Sequence, residues 1–320
     1  MNGLGDYNKD YQRKINNIIN GNRTLQGYYN YIMNGSTIST CYMYVFHVAD
    51  FLKNTNKNVN NLDASDFLNY MSKFNNGSKS YSQSYKISVY HALKRFGDYL
   101  VVIKKQTENL MDFVPRPKSI ESQKTIEKRE VGYLTPDEAR AFLDNAAAMS
   151  KDKWKWRDLS ILMIFLNTGI RCSALYKLDV NNINLEEGTI LVTDKEQKVS
   201  RKMISEDTVE CLRKWLEVRK DILGGVEEDA LFISTWLRRL SRDTIAKMVK
   251  KYSININGKN ITPHKLRATY GTYLYNQTND IYFVQQCLGH SSPKTSELYI
   301  RGQRDICEAK SEELTSKFFK

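Results

Sequence analysis

The sequence predicts a mainly α-helical protein with a small β-sheet, divided into two domains. Apolar residues recur at helical spacing through most of the chain, whereas the stretch from 189 to 204 alternates between apolar and other residues. Between residues 103 and 131 the periodicity is broken by prolines and a charged stretch. At 320 residues the chain is long enough to bury a core in each of two domains.

The first predicted domain, residues 1–115, is all-helical. Three of its segments have helical spacing and polar or glycine-containing boundaries: 37–54, 63–73 and 81–101. The third segment carries aromatic and basic residues at spacings of three to five: Tyr81, Tyr85, Lys86, Tyr90, Lys94 and Arg95. This row is either a tyrosine-rich edge of the core with solvated cations or a contact surface, and spacing alone favours neither. We expect the 20 to 35 residues before these helices to be too few for an additional DNA-binding domain.

The second predicted domain, residues 132–320, follows a linker at 116–131. Thr135, Pro136 and Glu138 have the types and spacing of a capping box, so a helix should begin there. The helices expected in this domain are 135–149, 155–166, a short one after residue 171, 206–221, 241–252, 264–277, 280–288, 293–300 and 305–317. Two alternating stretches around a polar turn at 194–198 predict a β-hairpin.

The chain is basic. It has 48 Lys and Arg against 36 Asp and Glu, a net charge of +12, and residues 1–118 account for +7 of it. Such a balance favours a polyanion as partner, but a solvated basic surface has the same composition. Charge alone does not decide between these interpretations.

Other features of the composition exclude several classes of protein. No apolar run approaches the roughly 20 residues of a membrane helix, and the N-terminus lacks a signal-peptide core, so we expect a cytoplasmic protein. Five widely spaced cysteines without a C-x-x-C pair indicate neither a disulfide framework nor a metal site. His47 and His91 fall within predicted helices, where we expect satisfied structural histidines.

Short motifs in the second domain carry the chemistry. His264 and Arg267 are three residues apart, so they share one face of a predicted helix. Arg171 ends the run TGIR, whose glycine permits a tight turn after a buried helix. His290 lies in the run LGH, and Tyr299 follows nine residues later. Because guanidinium groups grip two phosphate oxygens at once, this set is typical of a phosphate pocket with a phenol nucleophile beside it.

On these motifs the chain resembles the tyrosine recombinases, or phage integrase family, of the simple two-domain, Xer-like type. Five pieces stand in the family's order: TGIR with Arg171, a hairpin lysine at Lys195, HKLR with His264 and Arg267, LGH with His290, and LYIRG with Tyr299. The resemblance implies a clamp on DNA, formed by a helical core-binding domain and an α+β catalytic domain. It also favours DNA contact by the tyrosine- and lysine-rich helix.

The resemblance implies site-specific recombination in integration, excision or resolution. Tyr299 would attack the scissile phosphate to form a 3′-phosphotyrosyl bond, and the two arginines would stabilise charge on the equatorial oxygens. His264 would help to activate the tyrosine, and His290 would hydrogen-bond the phosphate. Lys195 would protonate the leaving 5′ oxygen. Nearby cations remain alternatives to this lysine: Lys198, Arg201 and Lys202. Weaker candidates for the nucleophile are Tyr270, Tyr273, Tyr275 and Tyr282.

The implied partners are duplex DNA with a specific target site and three further copies of the chain in a homotetramer on synapsed DNA, with room for accessory DNA-bending proteins. The tail after residue 304 would dock on a neighbouring protomer. No cofactor or metal is expected, since the sequence has no phosphate-binding G-x-x-x-x-G-K-[ST] loop and no carboxylate cluster for paired magnesium ions. In a bacterium the protein would be associated with the nucleoid.

One position departs from the family pattern. Three residues after the first arginine the family commonly carries an acidic side chain, and here that position is Ala174. We expect an altered support for the pocket with activity retained. Two other classes stay open: a type IB topoisomerase, which relaxes supercoils as a monomer by nearly the same chemistry, and a DNA-binding protein that has lost catalysis.

Overall fold

The computed structural model describes residues 2–76, 81–118, 133–193 and 199–289. The chain forms two compact units, Met1–Ser122 and Gln123–Lys320. Across the described ranges, no helix is both long and apolar enough to cross a membrane.

The first unit is helical and is organised around its third helix. Its helices are α1 (Asn2–Ile19), α2 (Arg23–Met33), α3 (Ile38–Thr55), α4 (Ala64–Asn76) and α5 (Gln83–Val102). The other four helices all contact α3. Phe51 on α3 is fully buried and stacks on Phe67 with ring centroids 4.5 Å apart. Short 3-10 turns at Val59–Asn61 and Leu110–Phe113 complete this unit.

Helices α3, α4 and α5 match the three predicted segments, but α1 and α2 were not predicted. Both pack on α3 in the same core. On α2, Leu25, Tyr28, Tyr29 and Ile32 are buried at the i, i+3, i+4, i+7 spacing of an amphipathic helix. The regular spacing was present in the sequence, but it was missed because two of these four positions are tyrosines, which pack here as core residues.

The second unit combines helices with a small sheet. Its elements are α6 (Pro136–Met149), α7 (Asp152–Thr168), α8 (Cys172–Tyr176), β1 (Ile183–Asn184), β2 (Thr189–Thr193), β3 (Val199–Met203), α9 (Glu206–Leu223), α10 (Arg242–Tyr252), α11 (Pro263–Thr278) and α12 (Ile281–Leu288), with a 3-10 turn at Val180–Asn182. Helix α7 is central and packs against α6, α9 and α11.

The capping box predicted for the first helix of this unit is present. The Thr135 side chain accepts from the backbone N–H of Glu138, and the Glu138 carboxylate accepts from the backbone N–H of Thr135 at 2.8 Å. Lys259 also donates to this carboxylate at 2.6 Å. Two separate stretches of the chain are therefore joined at the start of α6.

The predicted hairpin is confirmed as β2 and β3, which pair antiparallel in the sheet order β1-β2-β3. Ile190 and Val192 face the core and are fully buried, while Leu191 between them is half exposed. The two-residue strand β1 was not predicted. The helices predicted at 293–300 and 305–317 lie outside the described residues, as does the hairpin turn at 194–198.

Candidate functional site

Arg171 stands where a buried helix turns into a short one. Helix α7 ends at Thr168, and Gly169 adopts the left-handed conformation with φ 59°. A side chain at this glycine would also collide with a neighbour, because a Cβ there would lie 2.4 Å from Cδ1 of Tyr270. Arg171 is the N-cap residue of α8 and is partly exposed. The predicted tight turn before this arginine is therefore present, and it needs glycine for two reasons.

His264 and Arg267 lie one turn apart at the start of α11. Thr262 caps the helix by accepting from the backbone N–H of Lys265, and Pro263 occupies the first helical position. His264 is exposed, whereas Arg267 is 3% exposed. The pair shares one face as predicted, but at different depths.

The Arg267 guanidinium joins two distant turns of the chain. Its Nη1 donates to the carbonyl oxygen of Gly169 at 2.6 Å, and its Nη2 donates to the carbonyl oxygen of Leu288 at 2.7 Å. Gly169 lies two residues before Arg171, and Leu288 lies two residues before His290. Arg267 thus holds the TGIR turn and the LGH turn together, a task that the sequence did not reveal.

The cation predicted on the hairpin turn is not described, but a neighbouring lysine is. Lys195 and Lys198 lie outside the described residues. On β3, Lys202 donates from Nζ to the carbonyl oxygen of Cys287 at 2.5 Å. Arg201 points to the opposite side of the strand, where it forms an exposed ion pair with Glu187 at 2.5 Å. Of the hairpin cations that are described, Lys202 therefore reaches the α12 end of the site.

Two cations bind successive carbonyl groups at the C-terminal end of α12. Lys202 donates a hydrogen bond to the carbonyl oxygen of Cys287, and Arg267 donates one to that of Leu288. Gly289 then ends the helix in the left-handed conformation with φ 63°. Positive charge at a helix C-terminus is favourable, because the last carbonyls have no intrahelical donor and carry the negative end of the helix dipole. His290 follows directly, and both His290 and Tyr299 lie outside the described residues.

Burial makes two of the alternative tyrosines weaker candidates for the nucleophile. Burial raises the pKa of Tyr270 to about 12, and its ring covers Gly169. Burial also raises the pKa of Tyr273, with further contributions from Asp137 and Glu138. A phenol whose deprotonation is made harder in this way is a poor nucleophile. Tyr275 packs beside α12, and Tyr282 is 66% exposed.

The position without the acidic residue is filled by core packing. Ala174 is 2% exposed and belongs to the main core of the second unit. The end of α8 is instead held by Arg239, whose Nη1 donates to the carbonyl oxygens of Tyr176 at 2.9 Å and Leu178 at 3.1 Å. Arg239 also forms an ion pair with Asp179. Arg239 was not predicted as a site residue, because no motif surrounds it.

In the helical unit the three tyrosines of the predicted row pack against the core: Tyr81, Tyr85 and Tyr90. This supports the core-edge interpretation for the tyrosines. Lys94 forms an ion pair with Asp112, whereas Arg95 is exposed and lies 5.6 Å from the Tyr31 ring. Their contact with DNA stays a prediction.

His47 is buried, as expected of a structural histidine, but its hydrogen-bonding capacity is not fully used within the described residues. Its Nε2 has no hydrogen-bond partner among the described residues, and its ring meets that of Tyr85 edge-on at 5.3 Å. Burial lowers the pKa of His47, although Asp50 opposes the shift. The imidazole is therefore held neutral inside the helical unit. His91 is partly exposed.

Neither unit offers a metal site within the described ranges, where no group of three His, Cys, Asp or Glu side chains could hold an ion.

Comparison with known proteins identifies relatives of this chain. The family model described as "Phage integrase family" matches residues 132–305. A tyrosine recombinase XerC of Caldanaerobacter subterraneus is 30% identical over 249 residues, which are 75% of this chain and 65% of that protein. A tyrosine recombinase XerD of Staphylococcus epidermidis is 33% identical over 175 residues, 54% of this chain and 59% of that protein. The chain thus matches between half and two thirds of these relatives' lengths.

Solved structures share the fold. The structure titled XerH site-specific recombinase bound to palindromic difH substrate, post-cleavage complex, matches with a TM-score of 0.67 and 24% identity, covering 86% of this chain and 78% of that one. The Tn1549 transposon integrase in complex with transposon right end DNA matches with a TM-score of 0.66 and 19% identity, covering 91% and 99%. The mainly helical fold with its small sheet is therefore the fold of these proteins.

Proposed function

The chain belongs to the phage integrase family, and we propose that it is a site-specific tyrosine recombinase that cleaves and rejoins duplex DNA. The observation that carries this proposal is the position of Arg267. By bonding to the carbonyls of Gly169 and Leu288, it brings together the two turns that precede Arg171 and His290. With His264 on the same helix, these residues form one pocket for a phosphate.

In the proposed reaction Tyr299 is the nucleophile. Its phenol oxygen attacks the scissile phosphorus while its proton passes to the imidazole of His264, which in this way activates the nucleophile. A 3′-phosphotyrosyl bond forms and the bond from phosphorus to the 5′ oxygen breaks. Because the phosphodiester energy is kept in the protein link, attack by the 5′ hydroxyl of a partner strand restores the DNA backbone without a nucleotide cofactor.

The cations of the pocket act on the transition state. Negative charge grows on the equatorial oxygens as phosphorus becomes pentacoordinate, and fixed guanidinium groups stabilise that state more than the ground state. Arg171 is the partly exposed N-cap residue of α8, and its guanidinium is one of the two that bind the phosphate in this proposal. His290 hydrogen-bonds the phosphate, and Lys195 supplies the proton to the leaving 5′ oxygen.

The proposal extends to domains, assembly and location. Residues 1–115 are a core-binding domain, 116–131 a linker and 132–320 the catalytic domain, and the two domains grip duplex DNA at a specific target site. The net charge of +12 supports a polyanionic partner. Four protomers act on synapsed DNA, with the tail 304–320 of each docked on a neighbour. The setting is the cytoplasm, at the nucleoid in a bacterium, and the reaction serves integration, excision or resolution, including that of mobile elements.

The proposal is tested by trapping the covalent intermediate. After cleavage, nicked duplexes drawn from the DNA that flanks the gene release the short downstream fragment that carries the new 5′ hydroxyl, so religation is blocked and the protein stays attached. We expect the wild-type protein, but not Tyr299→Phe, to give a shifted band on a denaturing gel. Tyr282→Phe, at an exposed tyrosine in the same unit, is the matched control and should give the band.

The same assay separates the alternatives. DNA binding without a covalent band would indicate a DNA-binding protein that has lost catalysis. Relaxation of supercoils without any recombinant product would indicate a topoisomerase of type IB. A recombinant product that requires two target sites supports the recombinase.

A further inference from the structure

We propose that Lys202 is a positioning residue that fixes the hairpin carrying Lys195 against the C-terminal end of α12. The inference rests on the proposed function, since it concerns protonation of the leaving 5′ oxygen. It is based on the hydrogen bond that Nζ of Lys202 donates to the carbonyl oxygen of Cys287 at 2.5 Å. The two residues are 85 positions apart in the sequence.

The contact has a defined place on the hairpin. Along β3 the side chains alternate, with Val199, Arg201 and Met203 exposed and Ser200 and Lys202 on the inner face. The Ser200 hydroxyl is buried and has no hydrogen-bond partner among the described residues. Lys202 therefore provides the polar side-chain contact from the inner face of β3 to α12 in the described part of the chain.

The same contact lies beside the contacts that assemble the phosphate pocket. The carbonyl next to that of Cys287 belongs to Leu288 and is held by Arg267, which also holds Gly169. Lys202 and Arg267 thus dock two elements on one helix end: the hairpin and the turn before Arg171. The end of α12 keeps the Arg267 contact if Lys202 is removed, whereas β3 loses this hold on the helix.

Because removal of Lys202 affects the hairpin and not the Arg267 contacts, we expect one chemical step, the protonation of the leaving oxygen, to become slower. The turn at 194–198 directly precedes β3, so slack in β3 displaces Lys195 relative to a phosphate held by the arginines. Misplacement of a catalytic group by about 1 Å can cost about 10²-fold in rate. Loss of Lys202 should therefore slow proton delivery to the leaving oxygen and leave phosphate binding intact.

A substrate that needs no proton tests this step. In a duplex with sulfur in place of the 5′ bridging oxygen at the cleavage site, the leaving group is a thiolate, which departs without protonation because thiols have a pKa near 8.5. We expect Lys202→Met to form the covalent adduct about 10²-fold more slowly than wild type on the ordinary duplex. On the sulfur duplex, Lys202→Met should form the adduct as fast as wild type does on that duplex. Its Kd should equal that of wild type for both duplexes.

Conservative and matched variants separate positioning from other roles. Lys202→Arg can still donate to the Cys287 carbonyl but cannot give up a proton at neutral pH, so positioning predicts that it cleaves the ordinary duplex nearly as well as wild type. If Lys202 were itself the proton donor, this variant would be as slow as Lys202→Met. Arg201→Met, at the neighbouring exposed cation of β3, should leave both rates unchanged.

The outcomes also distinguish this inference from the proposed function. A wild-type protein that forms no adduct on either duplex would overturn the proposed function. Wild-type adduct with no defect in Lys202→Met would overturn the positioning role alone. A defect that sulfur does not correct would also overturn it, because Lys202 would then act on phosphate binding or on the fold.

Discussion

Nη1 of Arg267 lies 2.6 Å from the carbonyl oxygen of Gly169, across 98 residues of sequence. A buried guanidinium that reaches this carbonyl and that of Leu288 makes one side chain responsible for the geometry of two turns. The proposed pocket therefore depends on Arg267 for its shape as well as for its charge.

Arg267→Lys should separate these turns. A lysine carries one nitrogen where arginine carries a fork, so at least one of the two buried carbonyls loses its donor, at a cost of about 1–3 kcal/mol of stability. We expect adduct formation to fall by about 10²–10³-fold, since a fixed donor to the transition state is displaced as well. Denaturant unfolding and the trapping assay measure the two effects.

Arg219→Lys is the matched control, because Arg219 is also buried and donates to the carbonyl of Ala230 at 2.7 Å away from the motifs. It should lose stability but retain adduct formation. If Arg219→Lys loses adduct formation as completely as Arg267→Lys, the effect is one of folding and the organising role of Arg267 is wrong.

Gly169→Ala should lower the free energy of unfolding more than the same substitution at another helix end does. At Gly169 the left-handed backbone costs about 1–2 kcal/mol for alanine, and the added Cβ would meet Cδ1 of Tyr270 at 2.4 Å. Gly224 ends α9 with φ 54° and has no atom within 4 Å of an added Cβ. Gly224→Ala should therefore show the backbone cost alone, and the difference in unfolding free energy measures the close approach.

The activity of these variants gives a second readout. We expect Gly169→Ala to slow adduct formation, because displacement of Tyr270 or Leu288 disturbs the turn before Arg171. Gly224→Ala should cleave like wild type. Equal stability losses in the two variants would contradict the close packing of Gly169 against Tyr270.

His47 should make the helical unit sensitive to acid. Burial holds the folded-state pKa of His47 below its ordinary value of 6.5, so the unfolded chain binds a proton more readily than the folded one. The contribution of the neutral imidazole to the free energy of unfolding is fully present above pH 6.5. It is lost as the pH falls toward the folded-state pKa. His47→Leu removes this group and should lose less stability between pH 7.5 and 5.5 than wild type does.

His91→Leu is the control, since this histidine is partly exposed in the same unit. Unfolding of each variant by urea at the two pH values gives the comparison. If wild type and His47→Leu lose the same stability over this range, protonation of His47 is not coupled to folding.

The elements that sequence analysis predicted well have local causes. The start of α6 was found because Thr135, Pro136 and Glu138 act within one turn of helix. The turn before Arg171 was found because a glycine after a buried helix is a local signal. Helix α2 was missed although its spacing is regular, because Tyr28 and Tyr29 stand at two of its core positions.

The contacts that organise the site could not be predicted in this way. Lys202 reaches Cys287 across 85 residues, and Arg267 reaches Gly169 across 98. No motif marks Arg239, and the hairpin position that made Lys202 a candidate cation does not reveal its contact with Cys287. The partners of both residues are backbone carbonyls, which every residue carries. Motif order indicates which residues converge, and packing decides which of them hold the others in place.

Tyr299 is the proposed nucleophile of a DNA-cleaving site, and peptide mapping of the covalent adduct tests this assignment most directly. Adduct trapped on a nicked duplex would be digested with protease and nuclease, and the peptide that retains a nucleotide identified by mass spectrometry. We expect the nucleotide, linked through its 3′ phosphate, on the peptide that contains Tyr299. A nucleotide on Tyr270, Tyr273, Tyr275 or Tyr282, or one linked through a 5′ phosphate, would contradict the assignment.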